Sequence, residues 1–439
     1  MKEVLVIGAA RSGIAVSRLL NQQGYHVCLT DSALINEKDS LIQEGIDVVD
    51  GGHPDSLKHE DYAFVVKNPG IPYRVPFVKY FVEHHVPIYT EIEIAYRYAN
   101  NFSYAAVTGT DGKTTVTTLL YEMLKKKGNA LVAGNIGIPL SEQVCHAKGP
   151  QNVALELSNF QLLGIDQFRP TVSTVTNLAP DHLDYMDSLE AYYASKMKIY
   201  ENCKPDDWFI LNVDDVEIMR YAKDIPCNVI RFSLHRNDVE LYCDDTYAYL
   251  FDKVLFSLSD LNIVGSFNCG NAMMAACMAY KMGVSLEDIQ SVIRDFKGVE
   301  HRIEYVDTID DVRIYNDTKA TNTHAVCAAL SAFDQNVILL CGGKDKHIFF
   351  KDLTQYDQKI KHCFSFGETK DQFSSIFSHQ TSVDTMQEAF QEAMSIAQAG
   401  DVVLLSPACS SFDQFPNYEK RGEIFKDMVK AYANKRRDK

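Results

Sequence analysis

Short runs of β-branched and aromatic residues alternate along the whole chain with helical stretches, joined by turns that carry Gly or Asp. Runs at residues 4–7, 26–30, 63–66, 104–108, 153–157, 172–176, 336–341 and 401–405 read as strands. Strands separated by helices are brought side by side through crossovers, so this rhythm predicts an α/β architecture of parallel sheets covered by helices. In such sheets ligands gather at the carboxyl ends of the strands. At 439 residues the chain exceeds one ordinary core. Three blocks, 1–93, 94–298 and 299–439, each open on a strand and a Gly-bearing loop, which predicts three domains.

Composition excludes some classes of work. With 43 basic and 59 acidic residues the net charge is −16, which disfavours gripping nucleic acid or an anionic membrane. A nucleotide with its metal needs only a local cluster of donors, so acidity does not count against one. The eleven cysteines are scattered, odd in number and free of C-x-x-C pairs, as expected of reduced thiols in the cytoplasm. The apolar run at 4–10 is cut short by Arg11 and reads as a strand rather than a leader. No apolar run approaches the roughly 18 residues of a membrane helix.

The strongest local signal is Val107-Thr108-Gly109-Thr110-Asp111-Gly112-Lys113-Thr114-Thr115, between an apolar strand and a helical stretch. Strand, glycine loop, Lys-Thr and helix is the order that wraps backbone N–H groups around phosphates. The lysine reaches the terminal phosphates and the hydroxyl binds Mg²⁺. The glycine usual six residues before the lysine is Val107 here, so the loop is a shorter T-G-T-x-G-K-T variant. The bland alternative is a helix start after a Gly-rich turn. A second loop, Gly8 to Gly13, follows the first strand but lacks the middle glycine of a dinucleotide fingerprint. Asp31 closes the next strand, where an acid would meet a ribose; a tight strand–helix turn explains the loop equally well.

Further motifs follow in order: Gly134-Asn135-Ile136-Gly137, Leu155-Glu156-Leu157-Ser158-Asn159-Phe160-Gln161 and Thr176-Asn177-Leu178-Ala179-Pro180-Asp181-His182. Beyond them come Lys196-Met197-Lys198-Ile199-Tyr200, Asn268 with Asn271, Glu300-His301-Arg302, Asn316 to Asn322, Gly342 to Lys346 and Ser406 to Phe415. In this order and spacing the chain resembles the Mur ligases, ATP-dependent enzymes that extend the peptide of peptidoglycan precursors. It looks most like the member that adds D-glutamate.

The resemblance implies a Rossmann-like N-terminal domain for UDP, a central ATPase domain and a Rossmann-like C-terminal domain for the amino acid. It implies ATP and two Mg²⁺ ions as cofactors, UDP-N-acetylmuramoyl-L-alanine and D-glutamate as substrates, and a monomer with no nucleic-acid or membrane partner. ATP would meet Gly109 to Thr115, Asn268, Asn271, Arg302 and Asp317. Metal would meet Thr114, Glu156, His182 and, once carbamylated, Lys196, with Lys113, Lys196 and His182 in catalytic roles. A lysine of the helix at 189–200 would be N-carbamylated; Lys196 and Lys198 both qualify, and the Lys-x-Lys/Arg-Ile-Tyr pattern favours Lys196. UDP would lie against Ser12, Gly13, Asp31, Ser32, Asn68, Gly70 and Asn135, and D-glutamate against Thr321, Lys346, Ser411 and Tyr418.

Each residue also has a plainer reading. Glu156 could form a strand-end ion pair, His182 could be a satisfied core or surface histidine, Lys196 could be solvated, and Asn268 and Asn271 could cap a helix. Arg302 and Asp317 could be surface charges. A folylpolyglutamate synthetase-like enzyme shares the phosphate loop but leaves the Gly8–Asp31 block without a role. A P-loop switch or motor would hydrolyse ATP with no acceptor amine.

Overall fold

The computed structural model describes residues 2–99, 101–180, 186, 188–345 and 349–437. Strands β1 (Glu3–Ile7), β2 (His26–Thr30), β3 (Asp47–Val49), β4 (Val65–Lys67) and β5 (Ile88–Tyr89) form a parallel sheet in the order β3-β2-β1-β4-β5. The chain reverses direction across the sheet at β1, so the loop after Ile7 opens at a switch point, where an α/β sheet leaves a crevice.

The second sheet comprises β6 (Phe102–Thr108), β7 (Ala130–Gly134), β8 (Gln151–Glu156), β9 (Val172–Val175), β10 (Trp208–Asn212), β11 (Asn228–Phe232), β12 (Leu241–Cys243), β13 (Tyr247–Leu250) and β14 (Lys253–Ser257). Their order is β14-β13-β12-β11-β10-β9-β6-β8-β7, parallel from β12 to β7. Residues 104–108 of β6 are buried without alternation, as a central strand covered on both faces must be. β6 is the switch point here, and the phosphate loop leaves its carboxyl end.

At the far edge β12, β13 and β14 run antiparallel, a departure from the wholly parallel expectation. Their turns explain it. The Asp244 carboxylate accepts the Thr246 and Tyr247 N–H groups at 2.7 Å each. Phe251 and Asp252 then take φ of 48° and 62°, the left-handed pair of a two-residue hairpin.

The third sheet holds β15 (Glu304–Ile309), β16 (Val312–Asn316), β17 (Val337–Gly342), β18 (Ile360–Phe366), β19 (Gln380–Ser382) and β20 (Val402–Leu405). Its order is β15-β16-β20-β17-β18-β19, with only the β15–β16 pair antiparallel.

These sheets divide between two compact units. Residues 1–260 and 270–293 form the first, which carries the first two sheets, and residues 261–269 and 294–439 form the second. In the first, one apolar cluster runs from Val4, Leu20 and Val27 to Ala106, Leu155 and Phe168. In the second, successive residues of β17 face opposite cores: Val337, Leu339 and Cys341 on one side, Ile338 and Leu340 on the other. The chain's single tryptophan, Trp208 at the head of β10, carries the Lys281 ammonium 3.3 Å from its ring centroid. All eleven cysteines are free thiols. Among the described residues no helix is long and apolar enough to cross a membrane.

Candidate active site

Gly109 leaves β6 with φ +141°, and a Cβ there would lie 1.9 Å from Thr176 Oγ1. Gly112, at φ +78°, caps the helix Lys113–Lys127, and a Cβ there would lie 2.5 Å from Asn271 Oδ1. Both positions exclude a side chain, by conformation and by space. The loop curls round its lysine: Lys113 Nζ donates to the carbonyls of Gly109 (2.9 Å) and Thr110 (2.7 Å). From behind, the segment after β9 straps it. Thr176 Oγ1 donates to Asp111 O (2.5 Å), Asn177 Oδ1 accepts the Asp111 N–H (2.9 Å), and Thr110 Oγ1 donates to Ala179 O (3.1 Å). This strap was not assigned a role from sequence; it is visible only once the sheet order sets β9 beside β6.

Glu156 ends β8, level with Val107 of β6 in the ladder. It is 1% exposed, and its Oε1 accepts from Asn135 Nδ2 at 2.9 Å. Its Oε2 is buried with no hydrogen-bond partner among the described residues. The strand-end ion pair is absent among them. A buried carboxylate oxygen left this way costs free energy unless a cation or donor comes to it.

The two candidate lysines separate cleanly. Lys196, on the helix Leu189–Met197, is 1% exposed; its Nζ donates to Gly109 O at 2.8 Å and lies 4.5 Å from the Tyr192 ring centroid. Lys198 instead pairs with Glu201 at 2.6 Å on the outside. One side of the loop thus meets Lys113, Lys196 and the strand bearing Glu156. His182 lies outside the described residues.

Around the first sheet, Gly13 packs so tightly that a Cβ would lie 1.8 Å from Gly8 O. The Asp31 carboxylate is engaged by the same loop, accepting Ala9 N–H at 2.6 Å and Ala33 N–H at 2.9 Å, with Ser32 Oγ at 3.5 Å. A cleft of ≈ 640 Å³ opens here, lined by Ala10, Arg11 and Asp31 on one side and Glu142, Cys145 and His146 on the other. Arg11 and the helix Leu140–His146 were not read as part of a site; no sequence pattern links them to the Gly8–Gly13 loop. Asn68 and Gly70 form the turn after β4, where Asn68 Oδ1 accepts the Gly70 N–H at 3.0 Å.

In the second unit, β16, β20 and β17 are neighbouring parallel strands, so their following loops leave one edge of the sheet together. Those loops carry Asp317 and Thr321, then Ser411; Lys346 lies outside the described residues. Asp317 is buried, accepts from Ser406 Oγ (2.7 Å) and Ile303 N–H (3.2 Å), and is raised by burial to about 7, with Arg302 among the groups opposing the rise. Arg302 Nε is buried without a partner among the described residues. Arg421 ties the loops together, donating to Thr318 Oγ1 and O (2.9 Å each) and Cys409 O (3.1 Å). Tyr418 opens the same helix, its ring edge-on to His301 at 6.2 Å. Asn268 Nδ2 donates to Val264 O at 2.6 Å.

Residues 107–279 match the Mur ligase middle domain, and residues 301–409 match the Mur ligase glutamate ligase domain. The UDP-N-acetylmuramoylalanine--D-glutamate ligase of Geobacillus kaustophilus is 42% identical, covering 98% of this chain and 97% of its own length. The enzyme of that name from Bacillus subtilis is 38% identical over 97% of this chain and 96% of its own. A solved structure of MurF ligase from Thermotoga maritima, in complex with ADP, shares the fold with a TM-score of 0.61 at 16% identity, covering 95% of this chain and 99% of that one.

Proposed function

The chain belongs to the Mur ligase family, and from that premise we propose that it joins D-glutamate to the alanyl carboxylate of UDP-N-acetylmuramoyl-L-alanine, with ATP turned to ADP. Forming an amide from a carboxylate needs a better leaving group than oxide. Moving the γ-phosphoryl of ATP onto the carboxylate supplies one, and the amine then displaces phosphate.

The observation that carries this reading is Glu156: a carboxylate oxygen buried without a partner among the described residues, one strand from a phosphate loop. The donor set fits Mg²⁺, with Glu156, Thr114, His182 and a carboxylated Lys196 as the residues that would hold it. Bound there, the metal neutralises phosphate charge. The chain's own groups do the remaining work. Lys113, held inside the loop's curl, meets the terminal phosphates. Carbamylation would make Lys196 an anion and leave it one N–H to keep its bond to the Gly109 carbonyl. Asn271, packed against Gly112, is suited to adenine or ribose, as is Asn268, with Arg302 suited to phosphate and Asp317 to ribose.

For the UDP half we assign the cleft lined by Asp31, and, outside that lining, Ser12, Gly13, Ser32, Asn68, Gly70 and Asn135. D-Glutamate brings two carboxylates, for which Lys346 supplies a cation and Thr321, Ser411 and Tyr418 neutral donors. Domain limits near residues 93 and 298 and a monomeric cytoplasmic enzyme complete the reading, the reducing compartment alone being supported by eleven free thiols. The test is ADP release in the presence of UDP-N-acetylmuramoyl-L-alanine. It should require D-glutamate and ignore L-lysine and diaminopimelate; ADP release without any amino acid would sink the reading.

A further inference from the structure

Lys67, the last residue of β4, is fully buried, a costly place for an ammonium unless its protons are used. Three carbonyls of a single turn take hydrogen bonds from it. Nζ donates to the carbonyls of Ile71 (2.7 Å), Asn68 (3.1 Å) and Pro69 (3.4 Å) and lies 4.6 Å from the Tyr73 ring centroid. Burial lowers its pKa to about 8, so it stays charged at neutral pH.

The clasped turn is closed by Ile71 N–H donating to Asn68 O (3.1 Å) and Gly70 N–H donating to Asn68 Oδ1 (3.0 Å). With its side-chain oxygen engaged, the Asn68 amide offers its donors, and Nδ2 reaches Ser12 Oγ at 3.4 Å. A hydroxyl that accepts from Asn68 sends its own proton elsewhere. Ser12 stands in the first turn of the helix Arg11–Gln22, next to Arg11, which lines the cleft. The turn also seats directly on the loop below, since a Cβ on Gly8 would lie 2.7 Å from Asn68 Cβ.

We propose that Lys67 is a positioning residue for the diphosphate of the uridine substrate: by tying three carbonyls of the turn at 68–71 it holds Asn68 against Ser12 and turns the Ser12 hydroxyl proton toward phosphate. This rests on the assignment of the cleft to UDP. Lys67 itself touches no ligand; its effect passes through one turn and one hydroxyl.

Steady-state kinetics and calorimetry with UDP-N-acetylmuramoyl-L-alanine and with UDP alone test it. Lys67→Met should raise KM for the UDP substrate about tenfold, the value of one lost hydrogen bond, while kcat and the KM values for ATP and D-glutamate stay within about twofold. Ser12→Ala should raise the same KM alone and add nothing in the Lys67→Met background. An unchanged KM in folded Lys67→Met, or effects that multiply in the double variant, overturns the proposal. If Lys67→Met does not fold, the same cycle between Asn68→Ala and Ser12→Ala decides, non-additivity supporting and multiplication overturning. Wild-type enzyme that binds no UDP would instead sink the assignment of the cleft, whereas equal UDP binding by wild type and Lys67→Met sinks only the role of Lys67.

Discussion

Lys196 and Lys198 are two residues apart, yet one is buried against the phosphate loop and the other is paired with Glu201 outside it. A carbamate on Lys196 would therefore stand beside Gly109, and one on Lys198 would not. Lys196→Ala is expected to lose at least about a hundredfold in turnover, the scale on which one preorganised charge acts, and to recover in part with acetate or formate. Lys198→Ala should remain near wild type; rescue confined to Lys198→Ala in the same ADP-release assay would reverse the assignment. Asp317 makes a different prediction, in pH. Its folded value of about 7 lies above the unfolded value of about 3.9, so the native state holds the extra proton between them. The stability it lends is complete below pH ~4 and is lost as pH rises through about 7, at about 1.4 kcal/mol for each unit separating the two values. Asp317→Asn should flatten that slope in urea titrations across the window. A slope unchanged by the substitution would mean that Asp317 is already ionised in the acid range.

Two strand–loop–helix elements build the first unit's sites, and each depends on a glycine that nothing larger can replace. Gly109→Ala drives a Cβ into Thr176 Oγ1 at 1.9 Å, so loop and strap must part. The expected cost is about 1–3 kcal/mol of stability with near-complete loss of ATP-dependent turnover, read by thermal melts beside the ligase assay. A fully active, equally stable variant would show that the strap does not shape the loop. These elements were legible in sequence because their signals are local: Gly109, Gly112, Lys113 and Thr114 lie within one turn of chain, and Glu156 stands out as an acid ending an apolar run. The strap was not legible, because Thr176 and Asp111 are 65 residues apart and meet only through the order of β9 and β6. The β13–β14 hairpin was hidden for another reason. Phe251 and Asp252 occupy left-handed positions where glycine or asparagine would have announced a turn. Arg11 and His146 line one cleft from far apart in the chain, and no periodicity joins them.

At the scale of the molecule, each of the two units has its own apolar core, in the second split across the two faces of its sheet. Units built this way unfold as separate steps. Calorimetry should therefore resolve two transitions, and UDP at about a hundred times its dissociation constant should stabilise one of them by about 2.7 kcal/mol and leave the other in place. A single transition that shifts as a whole would mean one cooperative block. Assigning the transitions needs a signal confined to one unit, and Trp208 supplies it. As the sole indole, set in β10 beneath the Lys281 ammonium, it makes red-edge-excited emission a report on the first unit alone, with the second optically dark. A cation 3.3 Å from the ring centroid also perturbs the excited state, so Lys281→Met should shift the emission maximum of the folded protein and leave that of the unfolded chain unmoved. Fluorescence melts that look two-state would then describe about two thirds of this protein, and a titration that looks silent could still be filling the dark unit.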